Sequence, residues 1–213
     1  MSLKFNDTAG AAKSKKVDYY KFVEGDNIFR LVGDVLPRYV YWNNSPTGSS
    51  IAIECLGFNR DIEEFDNKEK DWFQDYFPDI KCKWSYVVQA YNSQGVLKVI
   101  SLRKKMFEAI KQNSAKHWGD PTDPDTGMQI VVTRTKTGPK TFNVEYTVDV
   151  LGCKQLALTT EQKEELAEKP SIDDLFPRQT PDAQKKNIER IWFTKDDDED
   201  GKDGDDFDDD ISF

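Results

Sequence analysis

The sequence lacks the features that define membrane proteins and secreted, disulfide-stapled proteins. None of its 213 residues belongs to an apolar run of about 18, the length that a membrane-spanning helix needs. Residues 1–16 are small, polar and basic, without the apolar core of a signal peptide. These absences predict a protein of the cytoplasm.

Cysteine and histidine are also scarce. Cys55, Cys82 and Cys153 form an odd, widely spaced set, and no C-x-x-C pair occurs. That pattern fits neither a disulfide framework nor a zinc site, so we expect free thiols. His117 is the only histidine, which excludes a histidine-rich metal site. We therefore expect no cofactor and no metal.

The common catalytic motifs are absent too. The sequence has no glycine-rich phosphate loop, no G-x-S-x-G elbow and no H-E-x-x-H pair. One alternative is a metal-dependent, nuclease-related enzyme that would use Asp120, Asp123 and Asp125 in the stretch DPTDPDTG. Their spacing does not fit a calcium loop, and a turn rich in Asp and Pro explains them better. We expect a protein that is not an enzyme.

The negative charge is concentrated at one end of the chain. The formal net charge is −9, and residues 195–213 hold eleven acidic residues against Lys195 and Lys202. The tail therefore carries all of the net charge, and residues 1–194 are neutral with 28 acids and 28 bases. A neutral body is free to carry local basic patches. We expect a flexible basic arm over 1–17, a folded body over 18–194 and a disordered acidic tail over 195–213.

Within the body, alternating apolar and polar residues predict short strands. Residues 83–91 and 96–102 form one predicted hairpin, and residues 128–136 and 141–150 form another. The basic stretch over 103–116 predicts a helix between them.

Earlier in the chain the pattern predicts two short strands, one on each side of a turn at residues 24–27. It also predicts a strand over 35–42 and another over 51–55. An insertion over 57–80 has partial helix, and short helices follow over 160–168 and 181–191. The sum is a mainly β fold: an OB-type antiparallel barrel of five strands, with a helix between the third and fourth, inserted and C-terminal short helices, and an acidic tail. A closed barrel removes exposed sheet edges.

Aromatic and basic residues interleave on these strands. Single-stranded nucleic acid needs this mixture, because cations track the phosphates and exposed rings stack on unpaired bases. Strand alternation leaves roughly half of the rings for the core. The candidate nucleic-acid-binding residues are Arg38, Tyr39, Tyr41, Lys81, Lys83, Trp84, Tyr86, Tyr91, Lys98, Arg103, Lys104, Lys105, Arg134, Lys136 and Lys140.

The tail ends in apolar residues, unlike a tail that serves only solubility. Phe207, the acids Asp208, Asp209 and Asp210, and the tip residues Ile211 and Phe213 form a candidate partner-binding peptide. Ile211 and Phe213 can fill an apolar pocket while the acidic run steers the approach. The tail can also compete with DNA for basic groups. A second alternative is an acidic DNA mimic or interaction protein that does not bind DNA.

The tip FDDDISF resembles the C-terminal tip of bacterial single-stranded-DNA-binding proteins, with Ser212 where that family has proline. The body is similar to phage single-stranded-DNA-binding proteins of the helix-destabilising class. The similarity lies in KFVEGDNIFRLVG, LRKKMFEAIK and HWGDPTDPDTGMQIVVTRTKTGPKTFNVEYTV, and it covers most of residues 15–150.

The resemblance implies an OB-fold body that binds single strands without sequence preference in phage DNA replication, recombination and repair. It also implies that the tip recruits replication and recombination proteins. Some members carry a zinc module between early strands, but the matching residues 56–82 contribute only Cys82, with Cys55 adjoining. We therefore predict no zinc here. Lys13, Lys15 and Lys16 could serve as the basic arm that some members use for cooperative binding.

Deleting residues 195–213 should tighten binding to single-stranded DNA, because nine competing negative charges are removed. Affinity should fall steeply with salt, since cations on the body release counterions from DNA. Quenching of the five tryptophans during oligo-dT titrations at two salt concentrations measures both effects. A truncated chain without any affinity would instead support the acidic interaction protein.

Overall fold

The computed structural model describes residues 17–140 and 143–194. The strands of the described part are β1 (Gly25–Leu36), β2 (Tyr39–Asn44), β3 (Ser50–Glu54), β4 (Phe58–Asn59), β5 (Glu64–Phe65), β6 (Lys83–Trp84), β7 (Tyr86–Asn92), β8 (Leu97–Leu102), β9 (Met128–Lys136), β10 (Val144–Val148) and β11 (Lys154–Gln155). Its helices are α1 (Trp72–Tyr76), α2 (Lys104–Asn113), α3 (Thr160–Glu168), α4 (Ile172–Leu175) and α5 (Pro181–Ile188). Single π-helical turns, Ser114–Trp118 and Glu189–Phe193, extend α2 and α5.

The main sheet has the strand order of an OB-type barrel. Its order is β10-β9-β1-β7-β8, all antiparallel, and β11 also pairs with β9. β1 is thus shared by two hairpins, β7–β8 and β9–β10, and α2 follows the third barrel strand. The prediction of a mainly β fold with an OB-like arrangement and short helices is confirmed. The two predicted hairpins are confirmed as well.

A stretch before β1 lies beside the two strands at the ends of that order. The Val99 amide of β8 donates to the Asp18 carbonyl at 2.8 Å, and the Tyr20 amide donates to the Val99 carbonyl at 2.7 Å. Phe22 continues towards β10, where its ring lies 5.1 Å from that of Tyr146. These residues therefore contact both β8 and β10.

The second of the two short strands predicted on either side of residues 24–27 is confirmed as β1, which is longer than predicted. The first was wrong, because residues 17–24 form no strand and contribute a single bridge between Tyr19 and Val99. The Asn27 side chain closes a tight turn before the strand: its Nδ2 donates to the Val23 carbonyl at 2.8 Å, and its Oδ1 accepts from the Val23 amide at 2.8 Å. The predicted strand over 35–42 is split instead, because Pro37 has no amide hydrogen to donate. β1 ends at Leu36 and β2 begins at Tyr39.

The inward faces of the barrel strands and α2 form the largest apolar core. Its fully buried members are Phe29, Leu31, Val88, Ala90, Ile100, Leu102, Met106, Ile110, Met128, Ile130 and Val132. In β10, half-buried residues alternate with exposed ones, as the sequence pattern predicted. The apolar residues at every second position of the strands and on one side of α2 therefore point into one interior.

The outward face of β7 and β8 is also buried, under residues 158–176, which we call the C-terminal cover. Leu158 packs against Tyr91, and Ile172 packs against Val87 and Val99. The Tyr91 hydroxyl donates to the Gln162 carbonyl at 2.9 Å, and burial raises the pKa of Tyr91 to about 12. OB folds commonly bind oligonucleotides on this face. In this chain the cover occupies it.

The long insert between β1 and β7 is held by α5. Gln184 is fully buried; its Nε2 donates to the Glu54 carbonyl at 2.9 Å, and its Oε1 accepts from the Trp72 amide at 2.8 Å. Arg178, which precedes α5, donates to the carbonyls of Leu56 and Phe58. The C-terminal residues therefore fix the position of the insert.

The substitution Gly33→Ala should lower the free energy of unfolding by about 1–2 kcal/mol, since Gly33 adopts φ +67° at the bulge of β1. A new Cβ would meet only Gln89 Oε1 at 3.7 Å, so the backbone angle is the source of the cost. Urea unfolding measures it. Asp34→Ala, at the exposed neighbouring position, is the control, and equal midpoints for the two variants would contradict the prediction.

Candidate nucleic-acid interface

A cleft of about 620 Å³ opens where the insert meets the barrel and α2. We call it the aromatic cleft, because six rings line it: Tyr39, Phe58, Phe65, Trp84, Tyr86 and Phe107. The rings form a row of contacts. Their centroids are 4.8 Å apart for Tyr39 and Phe65, 5.9 Å for Tyr39 and Trp84, and 5.4 Å for Trp84 and Phe107. Elements far apart in the chain thus build one aromatic surface.

Trp84 is fixed at the centre of this surface. Its ring stacks on Tyr86 with centroids 3.6 Å apart, and its Nε1 donates to the Leu102 carbonyl at 2.8 Å. Ser85, between them, is buried, while Lys83 is exposed. Trp84 and Tyr86 therefore share one side, as strand alternation requires.

The rings of the aromatic cleft differ in exposure. Phe58 and Tyr86 are buried and form its floor, whereas Tyr39, Trp84 and Phe107 are half-buried. Phe65 is 49% exposed. The half-buried and exposed rings can meet a ligand without unfolding the core.

The rim of the cleft carries Glu63, Glu64, Glu108 and Lys111. Glu63 Oε2 accepts from the Tyr86 hydroxyl at 2.7 Å; burial and this bond raise the pKa of Tyr86. Glu63 has φ +52°, a left-handed conformation that is uncommon for residues other than glycine. The charged rim is therefore more acidic than basic.

A second group, the basic hairpin, consists of Arg134, Lys136 and Lys140 of the β9–β10 hairpin together with Arg103. The Arg103 guanidinium lies 4.5 Å from the centre of the Tyr146 ring, and Tyr146 pairs directly with Arg134. Burial, and more weakly the neighbouring Arg134, lower the pKa of Arg103. Lys136 and Lys140 are exposed, so this group presents positive charge to solvent.

The aromatic cleft and the basic hairpin meet at the start of α2. Trp84 binds the Leu102 carbonyl, and Arg103 is the next residue. Lys104 and Lys105 are exposed on the first turn of α2, and Phe107 enters the cleft one turn from Arg103. Lys83, also exposed, precedes Trp84. Of the predicted residues, these contacts join Tyr39, Trp84, Arg103 and Arg134. The predicted residues next to them in the chain are Lys83, Lys104, Lys105 and Lys136.

Other predicted residues lie elsewhere. Tyr41 and Tyr91 are buried, Tyr41 stacked on Phe73 at 4.5 Å, and Tyr86 offers only the cleft floor. The core or the C-terminal cover packs against these rings, so we leave the three tyrosines out of the interface proposed below. Phe207 and the rest of the candidate partner-binding tip lie outside the described residues, as do residues 1–16.

Arg38 and Lys98, two further predicted cations, contact parts of the chain outside the proposed interface. The Arg38 guanidinium stacks on Phe176 at 4.1 Å, and burial lowers its pKa. Lys98 pairs with Asp18. Lys81 is exposed on the insert, next to Cys82. Arg38 therefore helps to attach the C-terminal cover, and Lys98 helps to attach the stretch before β1.

Sequence reasoning missed Phe65 and Phe107 as interface rings. In the sequence, Phe107 has the helical spacing of the apolar residues Met106 and Ile110, so the pattern groups it with core residues although its ring is partly exposed. Phe65 lies in the insert, whose residues show no clear period, so only the fold brings it to Tyr39.

Asp120, Asp123 and Asp125 form a turn, as interpreted from their sequence. Asp123 Oδ1 accepts from the amides of Asp125 and Thr126, and these bonds lower the pKa of Asp123. Asp125 pairs with Lys163 at 2.5 Å. The carboxylates thus serve local bonds, and within residues 17–140 and 143–194 no group of three or more His, Cys, Asp or Glu is placed to hold a metal ion.

Across the part of the chain that the structure describes, helices long and apolar enough to cross a bilayer are absent. The fold and the interface together define an OB-like β protein with an aromatic cleft joined to a cationic hairpin, an arrangement suited to unpaired nucleic acid.

Comparison with known proteins agrees with this class. The chain is similar to a protein of Escherichia phage T5 described as a probable ssDNA-binding protein. The two are 26% identical over an alignment that covers 96% of this chain and 92% of the relative. No family model matches the chain. The resemblance to phage single-stranded-DNA-binding proteins is thereby confirmed.

Phe65→Ala should cost less than half as much stability as Phe58→Ala, for which we expect a loss of about 3–5 kcal/mol. The reason is that Phe58 is 1% exposed, whereas Phe65 already meets solvent. Urea unfolding of the two variants tests this. Equal losses would show that Phe65 belongs to the core and is not a surface ring.

Proposed function

We propose that this protein binds single-stranded DNA without sequence preference and without catalysing a reaction. The observation that carries the proposal is the continuous contact between the aromatic cleft and the basic hairpin through Trp84, Leu102 and Arg103. Unpaired DNA presents base faces and phosphates side by side, so its binding sites need rings and cations side by side.

Each group would contact a different part of the strand. Phosphates would lie along Arg103, Arg134 and Lys136, which are joined through Tyr146. Bases would stack on the accessible rings of Tyr39, Phe65 and Trp84, each for about 1–3 kcal/mol. Since any base has an aromatic face, this mode tolerates all sequences.

The covered face of β7 and β8 supports the same location. A strand cannot stack on Tyr91 or Gln89 while the C-terminal cover bonds to both, with the Gln89 side chain donating to the Pro170 carbonyl at 3.1 Å. The uncovered aromatic surface lies at the insert and α2. DNA would therefore run past the start of α2.

The described function of the T5 relative supports DNA binding by this chain, and we extend the proposal to phage DNA replication, recombination and repair in the infected bacterial cell. The acidic residues 195–213 would compete with DNA for the cations. Their tip, with Ile211 and Phe213, would recruit replication and recombination proteins.

The double substitution Arg134→Gln and Lys136→Gln should weaken binding to oligo-dT and reduce the slope of log affinity against log salt by about 1.4, since each lost phosphate contact on a single strand removes about 0.7. Fluorescence titrations over a range of salt concentrations measure the slope. The protein should remain folded, because Lys136 is exposed and Arg134 half-buried.

The control is Lys154→Gln with Lys169→Gln, which removes the same charge from exposed positions on β11 and after α3. Identical slopes for the test and control proteins would remove the basic hairpin from the interface.

A further inference from the structure

The rim of the aromatic cleft has the wrong charge for phosphate. Glu63, Glu64 and Glu108 face the cleft, against Lys111. Carboxylates this close to a phosphate would repel it, while the basic hairpin next to the cleft attracts it. A strand crossing both surfaces would therefore keep its backbone outside the cleft.

We infer that the aromatic cleft holds one unpaired nucleobase and prefers a base that carries an exocyclic amino group, cytosine or adenine, over thymine or uracil. This inference rests on the proposed function and qualifies it at one position: phosphate contacts along the basic hairpin remain independent of sequence, while the base held in the aromatic cleft adds a preference. The juxtaposition that carries it is a six-ring cleft whose rim is made of carboxylate acceptors.

The dimensions and lining of the cleft suit a flat aromatic ligand. Its volume of about 620 Å³ lies within the roughly 300–1,000 Å³ of small-molecule sites. The planes of the Phe65 and Trp84 rings are inclined to the Tyr39 ring by 66° and 78°, so the lining of the cleft is not one flat surface and can offer walls as well as a floor. A base entering between such walls stacks on one ring and meets others by their edges.

The carboxylates would decide which base edge is accepted. An ionised carboxylate only accepts hydrogen bonds. The amino group at position 4 of cytosine donates to such an acceptor, whereas the oxygen that thymine or uracil has there is repelled. The Tyr86 hydroxyl binds Oε2 of Glu63, which orients the carboxylate and leaves its other oxygen to meet a ligand.

Glu63 reaches the cleft from the turn of the β4–β5 hairpin. Its φ of +52° is the left-handed conformation that short hairpin turns commonly use. Phe65, two residues on, pairs back to Phe58 and contributes a wall of the cleft. The β4–β5 hairpin therefore supplies both a carboxylate and a ring to the same cleft.

Cations lie where the backbone would leave the cleft. The Lys111 Nζ is 5.8 Å from the centre of the Phe107 ring, and Lys104 lies 3.9 Å from Glu108. Arg103 and the basic hairpin continue from Lys104. A phosphate on either side of the inserted base could thus meet a cation while the base meets Glu63 and Glu108.

The test compares oligo-dC with oligo-dU of equal length, because these pyrimidines differ in the group at position 4 and the proton at N3. Competition titrations with the full chain should show roughly three- to tenfold tighter binding of oligo-dC, the gain expected from one typical hydrogen bond. The double substitution Glu63→Gln and Glu108→Gln should bring the ratio close to one, because an amide both donates and accepts.

The matched control is Glu164→Gln with Glu168→Gln, which removes two exposed carboxylates from α3 and should keep the preference for oligo-dC. Equal affinity of the unsubstituted protein for both oligomers overturns the base preference while leaving DNA binding in place. Binding of neither oligomer overturns the proposed function as well.

Two further results would also overturn the inference. One is a preference that survives the double substitution, which would locate the base selectivity away from Glu63 and Glu108. The other is quenching by spermidine, lost on the double substitution, together with equal binding of the two oligomers. That result would assign the cleft to a cationic ligand, which aromatic rings and carboxylates also bind.

Discussion

The double pairing of β1 is the constraint on which the rest of the structure depends. Its first half pairs with β9 and its second half with β7, so one strand joins both hairpins. The register shift between Val32 and Val35, with Gly33 at φ +67°, bends β1 beyond the part that pairs with β9. The interior core, the placement of α2 between the hairpins and the contact of Arg103 with Tyr146 all follow from that geometry.

The C-terminal cover then decides where a ligand can bind. It buries the outer face of β7 and β8 under Leu158 and Ile172. The chain then continues beyond the cover to Arg178 and Gln184, which hold the insert in place. Because the cleft uses rings from the insert, a change that detached α5 would affect the cleft.

The hairpins and α2 were predictable from local sequence. Within residues 83–150, apolar and polar residues alternate along the strands, and a basic stretch interrupts this alternation at the helix. The sequence did not predict which individual aromatic rings are accessible to a ligand. Trp84 and Tyr91 both lie on the predicted strand over 83–91, yet Tyr91 lies under α3 while Trp84 borders a cleft. That difference arises from Gln162, 71 positions from Tyr91 in the chain, and the contact of Glu63 with Tyr86 likewise joins residues 23 positions apart. Sequence period reports the face of a strand but not what covers it.

Neutrality of residues 1–194 conceals two adjacent surfaces of opposite sign. The basic hairpin concentrates Arg103, Arg134 and Lys136, while the cleft rim concentrates Glu63, Glu64 and Glu108. An acidic segment such as residues 195–213 is attracted to the first and repelled by the second. Competition from the tail would therefore displace phosphate contacts and leave base contacts largely untouched. The tail would thus regulate how strongly a DNA strand is bound, whereas the cleft would influence which base is bound. The two effects would respond differently to salt, because only the effect of the tail depends on long-range charge.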